Sequence, residues 1–122
     1  MRIIAAAALT LALAGCGSGQ AVRLPTQTWQ GTDVAVEVRP APLHAGPAEF
    51  LIIATAADSG PANDLVISIR THPDDAWQQA MQDGRMGVYR RSLPLAHGQQ
   101  TLYVQIRRRF EQAVLEYPIE VE

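Results

Sequence analysis

The chain has a single cysteine, Cys16, and no lysine. One thiol cannot close an intramolecular disulfide, so the fold must be held by burial and strand pairing. All ten basic residues are arginine, which reads as a nucleotide-composition bias rather than a structural requirement. The longest apolar run, residues 3–13, falls short of the roughly 20 residues that a membrane-spanning helix needs. An excess of positive charge is also missing: ten Arg face twelve acidic residues. Without a clustered positive excess, nucleic acid is not an expected partner. Reactive signatures are lacking too. There is no Gly-X-Ser-X-Gly elbow, no His-Glu-X-X-His and no glycine-rich phosphate loop. Asp74 and Asp75 are adjacent carboxylates, but behind Pro73 they suit a turn or a helix cap. The expectation is a protein that is not an enzyme.

What the chain does carry begins at its start. Arg2 precedes the uncharged run Ile3 to Leu13, and the small residues Ala14 and Gly15 lead to Cys16. This is the tripartite layout of an export signal. Leu13-Ala14-Gly15-Cys16 resembles the bacterial lipobox, with Leu13 at −3 and Cys16 as the modified residue. The resemblance implies removal of residues 1–15, a diacylglycerol thioether on Cys16 and acylation of the new amino group. One acyl chain binds a bilayer marginally, whereas two or more anchor it stably. Gly17 follows the cysteine where a retention signal would place Asp. In a two-membrane envelope this implies the periplasmic face of the outer membrane. The expected organisation is a signal peptide over 1–15, a lipidated Cys16 with a flexible tether over 16–31, and one domain over 32–122.

In the tether, Gly17-Ser18-Gly19-Gln20 and the Pro25 to Thr28 stretch are small and polar. Val22 and Leu24 allow a short edge strand. Trp29 is expected to pack on the domain, the alternative being an exposed contact near the membrane interface. From residue 32 the period becomes two. Val34, Val36 and Val38 alternate with Ala35, Glu37 and Arg39. Phe50-Leu51-Ile52-Ile53-Ala54 is a continuous apolar run, as in a strand buried on both faces. Asp58 to Asp64 reads as a turn, and Leu65, Ile67 and Ile69 alternate after it. The stretch 72–86 fits either a helical turn carrying Trp77 or extended structure turning at Asp83-Gly84; extended structure is favoured. Strands are expected from Gly87 to Leu93, around Leu102, Val104 and Ile106, and through Leu115, Tyr117, Ile119 and Val121. Pro94 to Gly98 reads as a loop. Pro118 requires an unpaired edge or a bulge. Six or seven short strands about ten residues apart predict an all-β, immunoglobulin-like β-sandwich.

Gly87-Val88-Tyr89, Leu93-Pro94-Leu95, Gly98 and Leu102-Tyr103-Val104 resemble the YtkA-like and FixH-like group of small extracytoplasmic domains. The resemblance spans residues 32–121 and is one of hydrophobics and turns. It implies an immunoglobulin-like fold and, by analogy with some members, copper handling. Thioether and imidazole ligands suit copper, and His72, Met81 and Met86 lie in one segment that can fold back as a hairpin. The plainer expectation has these methionines filling core gaps and His44, His72 and His97 in solvated loops.

Arg107-Arg108-Arg109 forms the densest cation cluster. On a strand, Tyr103, Gln105, Arg107 and Arg109 share one outward face, the expected contact surface for another envelope protein. The plainer alternative is a solvated face paired across strands with Glu111, Glu116 or Glu120. The functional expectation is therefore a lipid-anchored, non-enzymatic binding or accessory module, with a periplasmic copper carrier as the alternative.

Overall fold

The computed structural model describes residues 20–122. The expected signal segment, residues 1–15, and Cys16 lie outside the described residues. No helix occurs among the described residues, and none there is long and apolar enough to cross a membrane.

Ten β-segments build two antiparallel sheets: β1 (Val22–Trp29), β2 (Thr32–Arg39), β3 (Gly46–Ala56), β4 (Gly60–Pro61), β5 (Val66–Arg70), β6 (Gln78–Gln79), β7 (Met81–Asp83), β8 (Val88–Leu95), β9 (Gly98–Arg108) and β10 (Glu111–Val121). The first sheet runs β1-β2-β3-β8-β7, with β4 on the end of β3; the second runs β10-β9-β5-β6. Seven of the segments have five residues or more. The two inner faces pack together as a sandwich. Val34, Val36, Val38, Phe50 and Ile52 from the first sheet are fully buried, as are Ile67, Ile69, Leu102, Val104 and Ile106 from the second. The period-two alternation read from the sequence is thus the inward–outward alternation of each strand.

The apolar run in β3 is explained by its central place. Phe50, Ile52 and Ala54 face the core, while Leu51 on the outer side is also buried. Glu37 and Arg90 flank Leu51 in register, so their aliphatic stems can cover it while their charged ends stay wet. Arg90 is held by Glu49 at 2.6 Å and Asp83 at 2.7 Å.

Strand prolines sit where no ladder hydrogen bond is required. Pro118 lies on β10, the free edge of its sheet, as its missing N–H demands. Pro25 lies in the register break between Leu24 and Gln27 on edge strand β1. Pro94 lies beyond Arg90, the last β8 residue that β7 reaches.

Three boundaries differ from the sequence reading. The segment 16–31, read as tether, contains the eight-residue strand β1, laddered to β2 from Val22↔Val38 to Trp29↔Thr32. Buried Leu24 and half-buried Trp29 dock it on the core, which settles the packing of Trp29. Its bulge and polar outward residues had masked the alternation. The loop read from Pro94 to Gly98 shrinks to Ala96-His97, because β8 continues to Leu95. Residues 72–86 are extended where regular, and Ala80, buried and bonded to Ile67 O at 2.8 Å, is where the chain passes from the second sheet to the first.

Strand direction sorts the connections into two ends. At one end, the foot, Gln20 O accepts from Ala41 N at 3.2 Å and Leu43 O accepts from Glu122 N at 3.0 Å. His97 Nδ1 lies 2.9 Å from Glu122 O at the same end. Four turns gather at the far end: Gln30-Gly31, residues 57–64, Gly84–Gly87 and Arg109-Phe110.

Candidate functional site

The far end is built from residues distant in sequence. Arg108 leaves the tip of β9 and bridges the sheets: its Nε lies 2.9 Å from Asp64 Oδ2, and its Nη2 donates to Asp64 Oδ1 at 3.3 Å and to Thr32 Oγ1 at 3.4 Å. Its guanidinium also stands 5.8 Å from the Trp29 ring, within cation–π range. Asn63 pins the β7–β8 turn. Its Oδ1 accepts from Gly87 N at 2.8 Å and from Gln82 Nε2 at 3.1 Å, and its Nδ2 donates to Arg85 O at 3.0 Å. Gly87 is pressed against β3, with its carbonyl accepting from Ala54 N at 2.8 Å. An added Cβ there would sit 2.3 Å from Ala54 O, and its φ is +70°. Only glycine fits such an approach. The turn carrying Arg85 and Met86 is therefore fixed from both sides.

Between these turns lies an open cleft of about 1070 Å³, bordered among others by Asp58, Asp64, Arg85, Arg108, Arg109 and Phe110. Two local costs coincide on its rim. Arg109 holds φ 53° in a two-residue hairpin turn, a conformation that favours glycine or asparagine. Phe110, beside it, is fully exposed. Exposing a phenylalanine forgoes about 1.5–3 kcal/mol of burial, and a positive φ on a non-glycine residue costs on the order of 1–3 kcal/mol. Met86, in the neighbouring turn, is also exposed. Arg85 and Arg109 form no ion pair among the described residues.

The residues singled out from the sequence fall into three places. Tyr103, Gln105 and Arg107 do share the outward face of β9. Arg109 does not: it has left the strand for the turn. Glu111 does face Arg108 in register, but Arg108 pairs with Asp64 instead, and Arg107 faces Gln112 while Glu116 and Glu120 face Tyr103 and Gln99. Beside Tyr103, Arg70 stacks on Trp77 at 4.1 Å and lies 5.8 Å from the Tyr103 ring, so this face carries an ordered aromatic–cation group.

His72, Met81 and Met86 are spread along the sandwich. His72 lies in the loop after β5 at the foot, where its Nδ1 accepts from Asp74 N at 3.2 Å. Met81 opens β7 opposite Arg90, and Met86 lies in the far-end turn. Both methionines are exposed rather than filling the core. Among the described residues no group of three or more His, Cys, Asp or Glu is gathered as a metal site.

Arg85 and Phe110 were not picked out by sequence, while Asn63, Gly87 and Arg108 were read only as members of a turn, a strand motif and an arginine cluster. The one local signal for this end is Phe110, an aromatic side chain between Arg109 and Glu111. Compared with protein-family models, curated proteins and solved structures, the chain matches none of them.

Proposed function

We propose that this chain is a bacterial lipoprotein, anchored through Cys16, whose β-sandwich serves as a non-enzymatic binding module for another protein of the envelope. The observation that carries the reading is where the chain enters the fold. Gln20 is tied to the foot through Ala41, and Cys16 precedes it by four residues. Such a link spans at most about 14 Å. A lipid on Cys16 would then hold the foot close to the bilayer and leave the far end and both outer sheet faces open to a partner. In a two-membrane envelope, Gly17 favours the periplasmic face of the outer membrane.

An immunoglobulin-like topology belongs to the same reading. With β1 set aside, the order β2-β3-β8-β7 against β10-β9-β5-β6 corresponds to strands A-B-E-D against G-F-C-C′. Strand β1 is then an addition ahead of A. It moves the chain's entry from the far end, where β2 begins, to the foot. The proposed contact face on the second sheet is Tyr103, Gln105 and Arg107 with the Arg70–Trp77 stack. The copper alternative gains no support, since His72, Met81 and Met86 stand at different heights.

The test is the intact mass of the full chain extracted from membranes of a bacterial host. The expected species begins at Cys16 and carries a diacylglyceryl group and an N-acyl chain, while Cys16→Ser remains uncleaved and unlipidated. A mature chain with an unmodified cysteine overturns the anchor.

A further inference from the structure

We propose that the far end of the sandwich is a docking tip for a protein partner: Phe110 enters an apolar pocket of that partner, and carboxylates rimming the pocket pair with Arg85 and Arg109. The proposal rests on the lipid-anchor reading for its orientation. Four observations carry it. Phe110 is the most exposed large apolar side chain of the described residues and sits on a turn whose backbone is itself unfavourable. Two local rules broken together mark a position kept for something other than folding. A second turn at the same cleft repeats the pairing of arginine with an exposed apolar side chain, Arg85 with Met86. Both supports are held in place, one by Asn63 and Gly87, the other by the β9–β10 ladder, so little order is lost on binding. Finally, Arg85 and Arg109 have no ion-pair partner within the described chain, so their charge is available to carboxylates of another molecule.

A membrane is the competing occupant, and the upright stance of the anchored domain disfavours it. Eleven-residue strands separate the tip from the foot by about 35 Å, so a domain standing upright on a link of about 14 Å holds the tip clear of the bilayer that holds Cys16.

The experiment uses the full chain, with its own signal, in the cells it comes from. A photoreactive benzoylphenylalanine replaces Phe110, Val114 on the outer face of the second sheet, or His97 at the foot. The expected result is one discrete protein adduct from position 110, absent from position 97. The double variant Arg85→Glu/Arg109→Glu should cut its yield about tenfold or more, while Arg23→Glu leaves it unchanged. The partner, identified by mass and purified, should bind the soluble domain at least tenfold more weakly with Phe110→Ala. Unchanged circular dichroism and melting of each variant separate these losses from misfolding. A lipid adduct at position 110, an adduct indifferent to charge reversal, or no adduct there overturns the tip. An adduct from position 114 in place of 110 overturns the tip but leaves the binding module standing. The mass of Cys16, measured on the same samples, reports separately on the anchor.

Discussion

Tyr117 is fully buried in β10, and its hydroxyl donates to Val34 O across the sandwich at 2.8 Å. Burial pushes its ionisation from the ordinary 10 up to about 12. Tyr89 moves in the same direction, again chiefly through burial, with its hydroxyl donating to Ala62 O. A raised phenol pKa means that the folded state prefers the neutral ring. The associated stability is complete below pH 10 and is lost as pH rises from 10 towards 12, by about 2–3 kcal/mol for Tyr117. Urea unfolding at stepped pH should show this loss. Tyr117→Phe should be less stable at pH 8 by about 1 kcal/mol, the worth of one hydrogen bond, and should lose less than the parent chain between pH 10 and 12. Gly87 provides a second test at the residue scale. Gly87→Ala adds a methyl 2.3 Å from a main-chain oxygen at φ +70°, which should destabilise the domain by more than about 2 kcal/mol. Gly84, also at positive φ but with open space around it, should lose only about 1 kcal/mol on the same change, as read from urea midpoints.

Among the elements, β1 changes the account most. It adds an eight-residue ladder to β2 and places Leu24 and Trp29 on the core. Removing residues 20–31 should therefore destabilise the sandwich by several kcal/mol, since burying Leu24 and part of Trp29 alone contributes about 2–4 kcal/mol. A true tether could be deleted with no change in the urea midpoint, so the two readings separate cleanly. The strands most legible by alternation are those with an uninterrupted inner row, 34/36/38, 65/67/69, 102/104/106 and 117/119/121, and β3 and β8 were legible as well, β3 as an apolar run. Strand β1 was legible only as a short edge strand at Val22 and Leu24, because its bulge at Pro25 breaks the alternation and only Leu24 is buried. The sheet change at Ala80 was hidden because one small buried residue carries it. The outward row of Tyr103, Gln105 and Arg107 was legible from period two, whereas the departure of Arg109 depended on where a two-residue turn falls. The far end had no signature because Asn63, Arg85 and the Arg108–Phe110 stretch come from three separate segments and meet only in the fold.

On the scale of the whole molecule, the two ends carry different tasks. Both described chain ends meet at the foot, through Gln20 on Ala41 and Glu122 on Leu43, and the far end holds the pinned turns and the exposed Phe110. The proposed lipid at Cys16 turns this polarity into an orientation, foot to the bilayer and tip away. Because the lone cysteine is the lipidated residue in this account, one added thiol can be labelled without ambiguity. The decisive measurement is energy transfer from a dye at His97→Cys or Phe110→Cys to acceptor-labelled lipid, with the full-length lipidated chain in vesicles. Strong transfer from position 97 and weak transfer from position 110, corresponding to a difference in height of about 35 Å along the strands, is the predicted result. Equal transfer from both positions, or stronger transfer from position 110, would contradict an upright anchored module.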